Sequence, residues 1–269
     1  MTAISLAHLS MIDAAPEQLI TAAEAGGFDG IGLRVTSTMP LPGGIDLVAD
    51  PTALRAVRRQ LADTGLKVCD VESFVLAGPD NTAKLDAALD VAAELGAQYA
   101  LCVADDEDPV RLVERFASLC EMARLRNITV GVEFIPYRTN KTLGAVRDLL
   151  ARADQPNAGL IIDALHLSRS GGKPEDIADL PAGQIAFAQL CDARAERPAY
   201  EDLPTEARTD RLYLGQGALW LDRLLPLLPR DRHISIEAPV AADAHLDFTE
   251  RGRRLGATTR QFLSHHNVN

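Results

Sequence analysis

A closed parallel (β/α)8 barrel, an α/β fold in a single domain over residues 1–269, is what the sequence predicts. Three observations carry this reading. Strand-like and helix-like segments alternate from one end of the chain to the other, as a parallel sheet with crossover helices requires. Eight strand-like runs can be counted, and no linker or low-complexity tract divides them. The first of them is followed by His8-Leu9-Ser10, with no Gly-rich phosphate loop of the kind that opens a doubly wound open sheet.

The elements are read in order. A short strand spans Ile4 to Leu9, and a helix follows from Pro16 to Gly26, with proline near its start and Gly26-Gly27 closing it. Asp29 to Val35 is the second strand. Pro51 to Gly65 is a helix whose Leu54, Val57 and Leu61 recur at helical spacing. Lys67 to Ser73 is the third strand, Asn81 to Gly96 a helix, Tyr99 to Ala104 the fourth strand and Asp108 to Arg126 a long helix. Strand five is Thr129 to Glu133, followed by a helix from Thr142 to Ala153. Strand six is Ala158 to Asp163, and a short helix is expected near Pro174 to Leu180. Strand seven holds Gln189. A long polar connection from about 193 to 217, the loop between the seventh strand and the helix that follows it in the repeat, is expected to lie over the barrel mouth as a lid. A helix near Leu219 to Leu228, strand eight with Glu237 and a final helix from about Leu246 to Leu263 complete the chain.

Four consecutive strand runs each deliver an oxygen-bearing side chain near their C-terminal end: Glu133, Asp163, Gln189 and Glu237. A carboxylate inside an apolar run is costly to bury unless it is paired or bound to a cation. In a parallel barrel these ends converge on one face, the face that carries active sites. Three carboxylates and one amide oxygen are hard donors, which suit Mn²⁺ or Mg²⁺ better than Zn²⁺. A single divalent ion held by these four is the expected cofactor. His8, Arg34 and Glu72 stand at or near the ends of strands one to three and are candidates for the pocket wall that binds substrate. Tyr137 and Trp220 are candidates for an apolar surface.

The formal net charge of -11 argues against nucleic acid as a partner, which demands a basic face. It leaves an anionic small molecule open, because a few arginines in a cleft outweigh the global sign. Cys69, Cys102, Cys120 and Cys191 are scattered without a Cys-x-x-Cys, so neither a disulfide framework nor a thiolate zinc site is signalled and a reducing, cytoplasmic setting is expected. Met1-Thr2-Ala3-Ile4-Ser5-Leu6-Ala7-His8 lacks the basic and long apolar regions of a signal peptide, and no apolar run approaches a bilayer span. The expected partner is a small-molecule substrate, with no membrane and with homo-oligomerisation left open.

These residues resemble the sugar phosphate isomerase/epimerase group of xylose-isomerase-like TIM barrels, over the whole chain. The marks are Gly26-Gly27-Phe28-Asp29-Gly30-Ile31-Gly32-Leu33-Arg34, Glu133, Asp163-x-x-His166, Glu237 and the Gly215-Gln216-Gly217 turn, where Leu214 stands in the place usual for proline. The resemblance implies that Glu133 and Glu237 serve both as metal ligands and as acid/base groups, that His166 touches a substrate hydroxyl, and that Arg208 or Arg211 contacts the substrate. One departure stands out: the family's ligand on strand seven is most often His, where this chain has Gln189. The implied activity is metal-dependent isomerisation or epimerisation of a sugar, sugar acid or related α-hydroxy carbonyl compound through an enediolate. The alternative is a dehydratase or lyase of the same fold, resembling 3-dehydroshikimate or inosose dehydratase or acting by β-elimination on a keto-glycoside. A non-catalytic partner subunit is a third class. A DNA-repair nuclease of the endonuclease IV type needs a His-rich zinc cluster and a basic face. Six histidines and an acidic chain do not supply them.

Overall fold

The structure, a computed structural model, describes residues 2–36 and 46–266. Eight parallel strands close into one barrel in sequence order: β1 Ile4–Leu6, β2 Gly30–Arg34, β3 Lys67–Leu76, β4 Tyr99–Ala104, β5 Thr129–Glu133, β6 Ala158–Asp163, β7 Ile185–Leu190 and β8 Ile234–Ile236. Closure is made by β1 against β8, where Ser5 pairs with Ser235. The expected fold class is therefore the observed one.

The outer layer follows from local sequence. Helices α1 (Pro16–Gly26), α2 (Pro51–Thr64), α3 (Thr82–Glu94), α4 (Pro109–Arg124) and α5 (Leu143–Ala153) follow the first five strands. Asp50 and Asp108 cap α2 and α4 by accepting two backbone N–H groups each, and a proline follows each cap at the first helical position. The last helix, α9 (Phe248–His265), packs on α1 and closes the ring. The two approach so closely that a Cβ on Gly256 would lie 1.9 Å from the Gly26 carbonyl oxygen and one on Gly252 2.1 Å from that of Ala22. Any side chain at either glycine would push the helices apart.

Several stretches differ from the sequence reading, the first strand among them, which ends at Leu6 and gives way to a 3-10 turn at His8–Met11. β3 runs on to Leu76 instead of stopping at Ser73, with an irregular register against β4. Helix α6 (Ala164–Arg169) begins immediately after β6, where Asp163 Oδ1 accepts the His166 N–H at 2.9 Å and caps it. The helix expected at Pro174–Leu180 is a single 3-10 turn, Pro174–Ile177. The one expected at Leu219–Leu228 shrinks to α8 (Leu221–Leu224) and a 3-10 turn, because Pro226 lacks the N–H that would continue it. The 193–217 connection is not irregular throughout. It contains a 3-10 turn, Tyr200–Asp202, and helix α7 (Leu203–Thr209), and its far end returns to the sheet by an antiparallel bridge between Asp192 and Leu212. Among the described residues no helix is long and apolar enough to cross a membrane.

The barrel interior is asymmetric. Leu101, Ile161, Ala186 and Phe187 form an apolar cluster on the side of β4 to β7. Opposite them lie polar groups. His233 stacks on Phe187 with ring centroids 4.5 Å apart and places Nε2 3.1 Å from Asp70 Oδ2. His233 immediately precedes β8 and Asp70 is the fourth residue of β3, so this polar pair sits toward the N-terminal ends of the strands.

Candidate metal-binding active site

The strand register sets the site. Gln189 on β7 lies beside Asp163 on β6, and Ser235, two residues before Glu237, lies beside Gln189. In a parallel ladder register partners face the same way, so Asp163, Gln189 and Glu237 share one side of the sheet. Glu133 ends β5 at the same level, and all four are buried. They stand under a cavity of about 470 Å³ that Glu133, His166 and Glu237 line from below, while Arg34, Arg138 and Arg208 line its wall and rim.

The centre of the arrangement is Arg211, the largest fully buried side chain among the described residues, which also reaches the cavity. Its Nη1 donates to Asp163 Oδ2 at 2.7 Å and its Nη2 lies 2.8 Å from Glu237 Oε2. Its Nε donates to the Ala207 carbonyl at 2.8 Å, which ties the guanidinium to α7. Gln189 Nε2 donates to Glu237 Oε1 at 2.9 Å, so both oxygens of Glu237 receive N–H donors. Among the described residues Glu133 pairs only with His166, whose Nε2 lies 3.6 Å from Oε1.

Burial and crowding tune the acids. Burial, and next the Asp163 charge, push the Glu133 carboxyl up to about 8. Glu237 is also raised by burial, against the pull of Arg211. Burial would raise Asp163 too, but the Arg211 charge and the hydrogen bonds donated by Arg211 and the His166 backbone N–H hold it below the usual carboxylate range. Burial lowers His166 to about 4, so the imidazole is neutral at physiological pH, and its Nδ1 is buried without a partner.

The donor set fits a divalent cation. Gln189 Oε1 is buried with no hydrogen-bond partner, an amide oxygen presented with nothing to accept. Glu72, Glu133, Asp163 and Glu237 face the two guanidiniums of Arg34 and Arg211, a shortfall that one dication closes. Among the described residues, ligand atoms of Glu133, Asp163 and His166 lie within 4.8 Å of one another, a group able to hold a metal ion. That trio includes His166, which the sequence reading gave to substrate, and leaves Glu237 with Arg211 and Gln189.

The remaining candidates divide. Glu72 and Arg34 reach the cavity and pair, with Arg34 Nε 3.3 Å from Glu72 Oε2; burial pushes Glu72 up to about 7. His8 is not brought to the cavity wall, against the sequence reading: its Nδ1 accepts the Arg34 backbone N–H at 3.1 Å and its Nε2 lies 3.0 Å from the Ala14 carbonyl. Both ring nitrogens are thus committed to backbone, which makes His8 a brace for the ends of β1 and β2. Tyr137 lies on the cavity, edge-on to His166 at 5.9 Å between centroids. Trp220 packs against the core away from the lining. Arg211, expected to contact substrate, lines the cavity and is at the same time the buried counter-charge of Asp163 and Glu237. Arg208 lies exposed on the cavity rim and has no carboxylate within ion-pair distance among the described residues. The sequence reading overlooked Arg138, which also lines the cavity and pairs with Asp105 at 3.0 Å. Its signal was its place five residues beyond Glu133, near the end of β5.

A parallel barrel with a buried acidic set and a guanidinium under its C-terminal mouth defines a class of small-molecule sites. The chain belongs to the xylose isomerase-like TIM barrel family, whose pattern matches residues 20–253. It is 33% identical over 226 residues to a 3-dehydroshikimate dehydratase of Pseudomonas aeruginosa, covering 79% of this chain and 34% of that protein. A 3-dehydroshikimate dehydratase of Pseudomonas putida is 28% identical, over 80% of this chain and 34% of its own length. The chain thus spans about a third of the length of these relatives. Among solved structures, the IolI protein with a bound zinc atom superposes with a TM-score of 0.80 at 17% identity, over 98% of this chain and 99% of that one, a likeness of fold.

Proposed function

We propose that this protein is a divalent-metal-dependent enzyme that removes a proton next to the carbonyl of a hydroxy-ketone bearing a carboxylate. Loss of the β-hydroxyl then completes a dehydration of the kind for which the two Pseudomonas relatives are named. The observation that carries the reading is Arg208, a guanidinium on the rim of an acidic cavity with no carboxylate within ion-pair distance among the described residues. A planar fork so placed suits a substrate carboxylate.

Glu133, Asp163, Gln189 and Glu237 are the residues proposed to hold the metal, with His166 as the alternative donor that the geometry supports. When bound, such an ion polarises the substrate carbonyl and stabilises the charge that develops on it. Mn²⁺ or Mg²⁺ is favoured by the oxygen donors. The side chains account for the proton. His166 lines the cavity and is unpartnered at Nδ1, which places it to accept the α-proton. His166, having taken the proton, can return it to the departing hydroxyl, so that it leaves as water, with Glu133 Oε1 3.6 Å away to stabilise the charged imidazole. The cavity wall of Arg34, Arg138 and Arg208 orients an anion above them. The four free cysteines accord with a reducing, cytoplasmic setting.

A second reading has its own observation. Glu133 and Glu237 lie on separate strands and both reach the cavity, as two acid/base groups for opposite faces of a substrate should. This supports an isomerase or epimerase of a sugar or sugar acid. The test is to load the purified protein with Mn²⁺ and supply 3-dehydroshikimate, whose dehydration gives an aromatic product read by its ultraviolet absorbance. A parallel panel of ketoses and keto-acids in heavy water is followed for proton/deuterium exchange. Aromatic product supports the dehydratase, exchange without loss of water supports the isomerase, and neither in any metal-loaded sample defeats both.

A further inference from the structure

Helix α6 carries a side chain that the chemistry above does not use. Arg169 follows Asp163 and His166 at intervals of three residues, so the three fall near one face of the same short helix. It is almost fully buried, with a side chain 3% exposed, and its partner Glu206 on α7 is 8% exposed. The contact is a two-pronged fork: Nε donates to Glu206 Oε2 at 2.8 Å and Nη2 to Oε1 at 2.6 Å. Nη2 also donates to the Arg194 carbonyl at 2.8 Å. One guanidinium therefore grips the start of the long connection and its helix.

The contacts close into a ring. Asp163 caps α6, α6 carries Arg169, and Arg169 holds Glu206. The next residue, Ala207, gives its carbonyl to Arg211 Nε, and Arg211 returns to Asp163. Arg208, one residue further, stands on the cavity rim. A surface ion pair would contribute little, but this one is buried, bidentate and satisfied by further hydrogen bonds.

We infer that Arg169 and Glu206 are positioning residues: their ion pair latches α7 over the cavity and fixes both the rim cation Arg208 and the orientation of Arg211. The inference deepens the proposed function and rests on it for its kinetic arm. A buried pair can be exchanged for apolar side chains of similar size with little loss of stability, whereas removal of one partner leaves an uncompensated charge. The decisive variant is therefore the double Arg169→Met, Glu206→Met, with Glu206→Gln as a second route if the double is poorly folded. Arg194→Ala, which breaks an exposed pair with Asp210 in the same connection, is the control.

Two measurements test the latch. Hydrogen exchange of the backbone amides from 203 to 212 needs no substrate. It should quicken about 10-fold or more in the double variant while the barrel amides keep their protection, since local opening is set by local contacts. With 3-dehydroshikimate as probe, KM should rise ~10–100-fold, the range typical when groups supporting a site are removed, with a smaller fall in kcat. Arg194→Ala should change neither. A folded double variant whose 203–212 amides exchange as slowly as the wild type overturns the latch, as does an unchanged KM. If the wild type turns over no probe, the proposed reaction fails, and the exchange arm alone decides the latch.

Discussion

Arg211→Met tests the electrostatic account of the site most directly. Methionine approximates the volume of the buried stem but removes the cation that touches Asp163 at 2.7 Å and Glu237 at 2.8 Å. In the metal-free protein those acids then face each other and Glu133 with no nearby positive charge except Arg34. Breaking a buried pair by deleting one partner costs about 3–5 kcal/mol, because a charge is left uncompensated. For a chain of this length each kcal/mol corresponds to roughly 2–3 °C, so Tm in chelator should fall by about 6–15 °C. A dication that enters the site supplies the missing charge and, by binding only the folded state, restores stability. The increase in Tm on adding Mn²⁺ should therefore be larger for Arg211→Met than for the wild type. Differential scanning calorimetry with chelator and with Mn²⁺ measures both effects. If Tm in chelator is unchanged and the Mn²⁺ response equals that of the wild type, Arg211 is not the counter-charge of this site and the reasoning fails.

Three further predictions follow from separate contacts. Gln189→Ala removes the unpartnered amide oxygen and the donor to Glu237, and should weaken Mn²⁺ binding ~10–100-fold by titration calorimetry; Gln189→His should bind at least as tightly and move preference toward Zn²⁺ or Co²⁺. His8 is lowered from 6.5 to about 4, chiefly by burial, so its contribution is present above 6.5 and lost as pH falls through 4. That loss amounts to about 3 kcal/mol, and denaturant unfolding from pH 7 to 4 should show a shallower acid loss in His8→Gln. Gly217→Ala would put a Cβ 2.3 Å from the Ala193 carbonyl and 2.4 Å from Asp192 Oδ1, so it should lower Tm and speed proteolysis of the 193–217 connection. Cleavage at the wild-type rate would show that this turn does not hold the connection down.

Much of this architecture was legible because each part has a local cause. Pro51 after Asp50 and Pro109 after Asp108 mark helix starts whatever they pack against. An apolar run ending in Glu133, Asp163 or Glu237 is too costly to be accidental in a barrel interior. The two arginines of the long connection were harder. Arg208 and Arg211 are three residues apart in sequence, yet one is exposed on the cavity rim and the other is wholly buried. What separates them is that α7 ends between them at Thr209, which turns the chain inward at Asp210. A seven-residue helix with no side-chain cap leaves too weak a pattern to be seen before its tertiary partners are known. His8 misled for a related reason: its place at a strand end promised a pocket residue, but both its ring nitrogens satisfy backbone groups.

Arg211 also bears on the departure at strand seven. An imidazole in place of Gln189 has two ring nitrogens. If one served a cation, the other, as a donor, would have to take over the Glu237 contact. The amide divides the work differently, because Nε2 donates to Glu237 Oε1 while Oε1 stays free on the same planar group. Glu237 Oε2 is meanwhile held by Arg211, so this carboxylate is oriented from both sides before any ion arrives. Glutamine and arginine thus act as a pair. The first supplies a neutral donor and one hydrogen bond, and the second supplies the charge that lets Asp163 and Glu237 lie so close together. A site arranged this way keeps Asp163, Gln189 and Glu237 in place in the metal-free protein.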